Sequence, residues 1–282
     1  MGRRGSLTYQ VKQALSNKLR IGESRHDAKI AGTDKDGIFS WSTYNTYVKH
    51  CNYFVKWCRD EYGCKTVEEC RQHADEWITS RSHLSAWTQK LEVAALVKLY
   101  GDSSEDYVKT ADRHRSDIKR GRVDAVRDKH FSESNNREFV TFCKSTGLRR
   151  SEISCLTGDR LIWRDGDPYI HVTKGTKGGR ERISPIIGDN KMEIVAMMKR
   201  AGKTHVFDRV PNAADIHSYR ADYANALYLA NERPIEECKK SNEVYWCRRD
   251  RSGTWYDKKA MMITSQALGH NRIDIIASNY LR

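Results

Sequence analysis

The strongest constraint on how this chain can fold is a pair of arginines placed on apolar helical stripes. In Leu148-Arg149-Arg150-Ser151-Glu152-Ile153, helical spacing puts Arg149 in line with Ile153 and Leu156 at i, i+4 and i+7, and turns Arg150 away. In the helix opened by Asp215-Ile216-His217-Ser218-Tyr219-Arg220, the residues His217, Arg220, Ala221, Ala224 and Tyr228 share a face, so a second guanidinium and a histidine are expected to point inward. A buried guanidinium without an anionic partner is too costly to keep. The partner is either an internal carboxylate such as Glu152 or the phosphate of a ligand. One inward cation is an ordinary core pair; two arginines with two histidines, His217 and His270, in one domain are harder to dismiss.

Charge points the same way. The 282 residues carry 50 Lys and Arg against 37 Asp and Glu, a formal net charge of +13. Solubility alone does not need that surplus, and a polyanion, nucleic acid first, is the partner it favours. A merely basic cytosolic protein is the alternative on charge alone. No run of about 18 apolar residues is present, so no transmembrane helix and no membrane partner are expected. The start of the chain, Met-Gly-Arg-Arg-Gly-Ser, lacks the apolar stretch of a signal peptide. A cytoplasmic, nucleoid-associated protein is expected. The eight cysteines include no CxxC pair, and several sit in apolar runs where a thiol acts as a small hydrophobe. They are expected to be reduced, with no metal site and no cofactor.

Four segments follow in order. Residues 1–36 form a basic N-terminal arm in which Leu7, Val11, Leu15 and Leu19 recur every four, predicting a short helix. This arm could clip onto a neighbouring subunit or DNA, or remain undocked. Residues 37–112 read as a bundle of helices: Ser42 caps a stripe from Tyr44 to Cys58 that ends at Gly63, and Thr66 with Glu69 forms a capping-box pattern. A third helix runs from about Ser85 to Tyr100, and a shorter one is predicted near Asp106–Asp112. Residues 113–129 are a basic linker whose Lys119, Arg120 and Arg122 could lie along phosphates or form a solvated charge run.

Residues 130–282 change pattern. After a helix over Glu133–Lys144, strand signals at Leu161–Trp163, Tyr169–Thr173 and Glu181–Ser184 predict a small antiparallel sheet. Between the last two lies the tip Lys174-Gly175-Thr176-Lys177-Gly178-Gly179-Arg180, suited to a groove of DNA or simply to solubility. Further helices are expected at 190–200, from Asp215, and at Lys258–Leu268, with a hairpin over Tyr245–Tyr256. The expected class is therefore mainly α with a small antiparallel β-sheet: an N-terminal helical domain plus an α+β domain. At the end, Leu268-Gly269-His270 is followed by a short amphipathic run, capped by Asn271 with Asp274 as a weak capping-box partner. In it Ile273, Ile276, Ala277 and Tyr280 fall on one stripe, so Tyr280 points inward. Taken alone, such a tyrosine is a core residue.

In order, TGLRRSE, KGGRERISP, HSYR and ALGH followed by a tyrosine resemble the tyrosine recombinases, the phage integrase and Xer-like family, over residues 131–282. The bundle of 37–112 looks like that family's core-binding, DNA-clamping domain. Carried over position by position, the resemblance makes Tyr280 the nucleophile and Arg149 and Arg220 the catalytic arginines, with His217 and His270 as the histidines. Lys177 becomes the hairpin lysine and Glu152 a supporting acid. Lys174, Arg180 and Arg182, in and beside the basic hairpin tip, are expected to contact DNA. The step from His270 to Tyr280 is one residue longer than usual in the family. The stretch between Arg220 and His270 is roughly double that of compact members, because the 245–256 hairpin is inserted.

What the resemblance implies is a site-specific recombinase of phage or mobile-element type. It would cleave double-stranded DNA through a 3′-phosphotyrosyl bond, without metal, and act as a tetramer on DNA. A type IB topoisomerase-like enzyme or an inactive DNA-binding module are the competing classes.

Overall fold

A computed structural model describes residues 5–114, 117, 131–177 and 179–281. Lys119, Arg120 and Arg122 of the expected linker lie outside the described residues. The chain divides into two compact units, Met1–Asp117 and Ile118–Arg282. Among the described residues no helix is long and apolar enough to cross a membrane.

The first unit is built from helices: α1 (Leu7–Ser16), α2 (Arg25–Ile30), α3 (Trp41–Tyr62), α4 (Val67–Cys70), α5 (Ala74–Ser80) and α6 (Ala86–Tyr100). Helix α3 begins at Ser40 rather than Ser42, because Ser40 is extended and its hydroxyl accepts from the Thr43 amide at 3.2 Å. The Thr66–Glu69 capping box is present in both directions. Helix α1 is no free arm. Its Val11 and Leu15 are fully buried in the same core as Phe54, Cys58, Trp77 and Leu96, so the thin stripe of leucines belongs to the bundle. The helix expected at Asp106–Asp112 is replaced by a single 3-10 turn, Ser104–Asp106. Extended backbone then buries Tyr107, whose hydroxyl donates to Asp102 at 2.8 Å beneath Arg71. Burial of an aromatic outweighs the helical preference of a short polar run.

The second unit is mainly α with small antiparallel sheets. Its elements are α7 (Arg137–Thr146), the one-turn α8 (Arg150–Ile153), β1 (Leu161–Arg164), β2 (Asp167–Val172), β3 (Arg182–Pro185), α9 (Lys191–Ala201), α10 (Ile216–Leu229), α11 (Ile235–Lys240), β4 (Val244–Trp246), β5 (Trp255–Asp257), α12 (Lys258–Ala267) and α13 (Ile273–Asn279). Strands β1, β2 and β3 pair antiparallel in that order, with Leu161 opposite Ile170 and Ile170 opposite Ser184. Strands β4 and β5 form a separate hairpin.

Helix α10 joins two cores. Ile216 and Tyr219 pack with Phe142, Leu148, Ile153 and Ile186, whereas Ala221, Tyr223, Ala224 and Tyr228 pack with Met261, Leu268, Ile276 and Tyr280. Arg220 stands at the seam, only 1% exposed. Each apolar side chain fully buried there contributes about 1.5–3 kcal/mol. That reserve is what allows a guanidinium to be held among them.

Candidate active site

Four separate segments build the pocket. Arg149 is not inside a helix, as its spacing suggests, but is the N-cap of α8, with extended backbone. The cap position still aims its side chain inward. Its Nη1 donates to Glu152 Oε1 at 2.7 Å, its backbone amide to Glu152 Oε2 at 2.6 Å, and its Nη2 to the Leu268 carbonyl at 3.2 Å.

Glu152 is buried and also accepts two bonds from Arg182, at 2.6 and 2.7 Å. Burial would raise its carboxyl, but the bonds and charge of Arg182, then those of Arg149, outweigh it and hold the group at about 2. Arg182 therefore corrects an expectation. Placed on β3 to face DNA, it is 9% exposed, grips Glu152 in a fork, and donates from Nε to the Ala267 carbonyl at 2.8 Å. The buried face of β3 carries Arg182 and Ser184, and the apolar Ile183 looks the other way.

Arg220 donates from Nη1 to the Gly147 carbonyl, from Nη2 to the Leu268 carbonyl, and from Nε to Tyr280 Oη at 3.2 Å. All three acceptors are neutral. Among the described residues Arg220 has no carboxylate partner. Burial draws its guanidinium down to about 10, with Tyr280 opposing the fall and Arg149 and Arg182 adding to it, so it stays charged at neutral pH. Gly147 ends α7 in the left-handed region at φ +61°, where a β-carbon would run into the ring of Tyr223. Only glycine offers its carbonyl to Arg220 from that turn.

Tyr280 follows α13 and is 7% exposed. The turn before that helix differs from expectation: Arg272, not Asn271, is the N-cap, and Asp274 pairs with Arg272 instead of closing a capping box. Tyr280 Oη also lies 3.3 Å from His270 Nε2, with ring centroids 5.8 Å apart. Burial pushes the imidazole down, and Arg220, Arg149, Arg182 and Lys177 push further in that order, to about 4. A neutral ring with its proton on Nδ1 can accept from the phenol at Nε2, while a phenol lone pair meets Arg220.

The remaining candidates sit at the rim. Lys177 is exposed, yet close enough for its charge to act on His270. Lys174 and Arg180 are also exposed. Lys174 instead lines a cavity of about 190 Å³ with His171 and His205. Gly175, at φ +70°, lies so close to the Ser151 carbonyl that a β-carbon would collide with it, and its own carbonyl accepts from Ser151 Oγ at 2.7 Å. That contact ties the hairpin tip to α8. His217 departs from the inward direction its helical face suggests: it is exposed in the first turn of α10, whereas Arg220, Ala221, Ala224 and Tyr228 of the same face are buried as expected, together with Ile216, Tyr219 and Tyr223. Among the described residues no group of three or more His, Cys, Asp and Glu is placed to hold a metal ion.

In structure the chain is similar to site-specific recombinases. One is the XerH recombinase bound to palindromic difH substrate in a post-cleavage complex, at 14% identity and TM-score 0.49, covering 98% of this chain and 90% of that one. Another is the Tn1549 transposon integrase in complex with transposon right end DNA, at 11% identity and TM-score 0.46, covering 99% and 95%. A third is the XerA recombinase, at 13% and 0.30, covering 94% and 91%. No protein-family model and no curated protein matches the sequence.

Sequence reasoning missed the part played by the main chain. The Leu268 carbonyl is shared by Arg149 and Arg220, and the Gly147 carbonyl by Arg220 alone. No side chain announces such acceptors; only the glycines beside them, Gly147 and Gly269, carry a signal. The pocket assembles three guanidiniums around one carboxylate, with a tyrosyl hydroxyl at the least compensated of them. A phenol oxygen thus stands within hydrogen-bond reach of a buried guanidinium in a positively charged cluster.

Proposed function

We propose that this chain is a site-specific DNA recombinase of the tyrosine type, in which Tyr280 attacks a backbone phosphodiester. The observation that carries this reading is Arg220: buried, charged, bonded among the described residues only to neutral acceptors, and donating to Tyr280 Oη. A buried cation in that state is explained by an anion that arrives from outside. A phosphodiester also fits the fork of Arg149 and Arg220.

In the reaction, the Tyr280 Oη–P bond forms as the P–O5′ bond breaks. The phenol proton passes to His270 Nε2, and the departing 5′-oxygen takes its proton from Lys177. Negative charge gathering on the non-bridging oxygens is met by Arg149 and Arg220, donors whose loss commonly costs about 10²–10³ in rate. Glu152 and Arg182 keep Arg149 aimed. His217, at the rim, bonds the phosphate. The product is a 3′-phosphotyrosyl strand and a free 5′-hydroxyl, and the stored ester lets the strand be rejoined without ATP or metal. In this reading Lys174 and Arg180 at the hairpin tip, and Lys119, Arg120 and Arg122, contact the duplex. The first unit serves as the core-binding domain, and strand exchange takes place in a tetramer on DNA. The setting is a phage or other mobile element acting at the nucleoid.

The test is a nicked suicide duplex that traps the covalent adduct. A denaturant-stable protein–DNA band is expected in the wild type and absent in Tyr280→Phe. Failure to form any adduct across a panel of candidate sites would sink the reading. Relaxation of any supercoiled plasmid without exchange between duplexes would replace it with a topoisomerase.

A further inference from the structure

The β4–β5 hairpin has no part in that reaction, yet its tip touches the segment that carries the nucleophile. Helix α13 has seven residues, too few to hold its shape in water unaided. Tyr280 lies just beyond it at φ −124°, where helical geometry no longer dictates direction. Arg251 meets this segment from the hairpin. Its Nη1 donates to the Ala277 carbonyl at 2.8 Å and to the Leu281 carbonyl at 3.3 Å, one acceptor on each side of Tyr280 in the chain. A cation at that end also complements the exposed carbonyls of a helix C-terminus.

The guanidinium is itself braced. Its Nη2 donates to Tyr256 Oη, and its Cζ stands 5.1 Å from the centre of the Tyr256 ring. Tyr256 is buried and edge-on to Tyr228 at 5.4 Å. The next residue, Asp257, is fully buried and accepts from Arg233 Nε at 2.8 Å and Nη2 at 2.6 Å. A rigid line thus runs from the buried Asp257–Arg233 pair through Tyr256 and Arg251 to the backbone around Tyr280.

We propose that Arg251 is a positioning residue, which clamps α13 from the inserted hairpin and so sets the reach of Tyr280 Oη toward Arg220 and His270. The role rests on the strand-transfer reading given above. The competing role for a basic hairpin tip is direct contact with DNA. That is disfavoured here, because both terminal nitrogens of Arg251 are engaged by the protein's own oxygens.

Three measurements on the full-length protein test this. In single-turnover cleavage of a nicked duplex at saturating DNA, Arg251→Met is expected to slow adduct formation by about 10–100-fold, since a displacement near 1 Å can cost about 10²-fold. Arg251→Lys, which can still donate to both carbonyls, should recover part of that loss. Joining of a 5′-hydroxyl strand to a 3′-phosphate activated as its p-nitrophenyl ester uses the arginines and not Tyr280. Assayed in Tyr280→Phe protein, it should change by less than about twofold on adding Arg251→Met. Amide hydrogen exchange of residues 273–281 should quicken in Arg251→Met while the rest of the second unit keeps its protection.

An unchanged adduct rate overturns the proposal, as does weaker DNA binding with an unchanged rate at saturation, or an equal loss of joining. A wild type that forms no adduct refutes the reaction instead. In that event the exchange measurement still decides the clamp: unchanged protection of 273–281 overturns it.

Discussion

Each unit of this protein buries a charge cluster, and the two clusters are balanced differently. In the first unit Glu92, 1% exposed, accepts from Arg81 at 3.0 and 3.3 Å and lies 3.2 Å from His50 Nδ1. The cluster has one carboxylate, one guanidinium and one imidazole, and it closes on itself. In the second unit Glu152 is shared by Arg149 and Arg182, and among the described residues Arg220 stands beside them with neutral acceptors only. The first arrangement is a structural ion pair. The second sets three guanidiniums against one carboxylate among the described residues, the imbalance on which the proposed anion site rests.

The largest effect expected from disturbing this contrast is on stability. Arg182→Met removes the fork that compensates Glu152 and should cost about 3 kcal/mol in urea unfolding, the low end for breaking a buried pair because Arg149 remains. Arg220→Met should behave in the opposite sense: cleavage falls by about 10²–10³, with a smaller loss of stability than Arg182→Met. If Arg220→Met were the more destabilising of the two, Arg220 would be a structural ion and the contrast would collapse. Glu92→Gln in the first unit should cost only about 1–2 kcal/mol, since Arg81 is 28% exposed and can turn to water. It should leave the cleavage rate per bound complex unchanged.

The smallest effects are titrations. His270, ordinarily near 6.5, is expected to titrate near 4 by NMR, and to move upward in Arg220→Met as the strongest neighbouring cation is removed. The unfolded imidazole takes its proton first as pH falls. Its contribution to stability is therefore complete above about 6.5 and lost on the way down to about 4. Glu152, held at about 2 against an ordinary 4.5, acts in the same direction over a lower window: its contribution is complete above 4.5 and is lost as pH falls through about 2.

Much of this architecture was legible in the sequence. Helical stripes such as Tyr44 to Cys58, the capping box at Thr66, and alternation in β2 are local patterns, and local patterns set local structure. The pairing of Arg149 with Glu152 could be anticipated because the two residues are three apart. Other features depend on what lies across the fold. Arg182 is expected among the cations that face DNA, and only the distant Glu152, which it grips across the fold, reverses that expectation. His217 shares a stripe with Arg220, Ala221, Ala224 and Tyr228, which are buried, but in the first turn of α10 it alone of the five is exposed. Arg251, in a stretch that read only as an inserted hairpin, acquires meaning from carbonyls at Ala277 and Leu281 that have no letter in the sequence.

The shared carbonyl of Leu268 has a consequence for the order of events in synthesis. It accepts from both Arg149 and Arg220, which precede it by 119 and 48 residues. Chains fold domain by domain as they emerge, the earlier parts first. The first unit and the opening helices of the second can therefore be in place before Leu268 exists to align the guanidiniums. The guanidiniums of Arg149 and Arg220 are thus made long before the carbonyl that aligns them, so the pocket takes its final arrangement only once α12 has been synthesised.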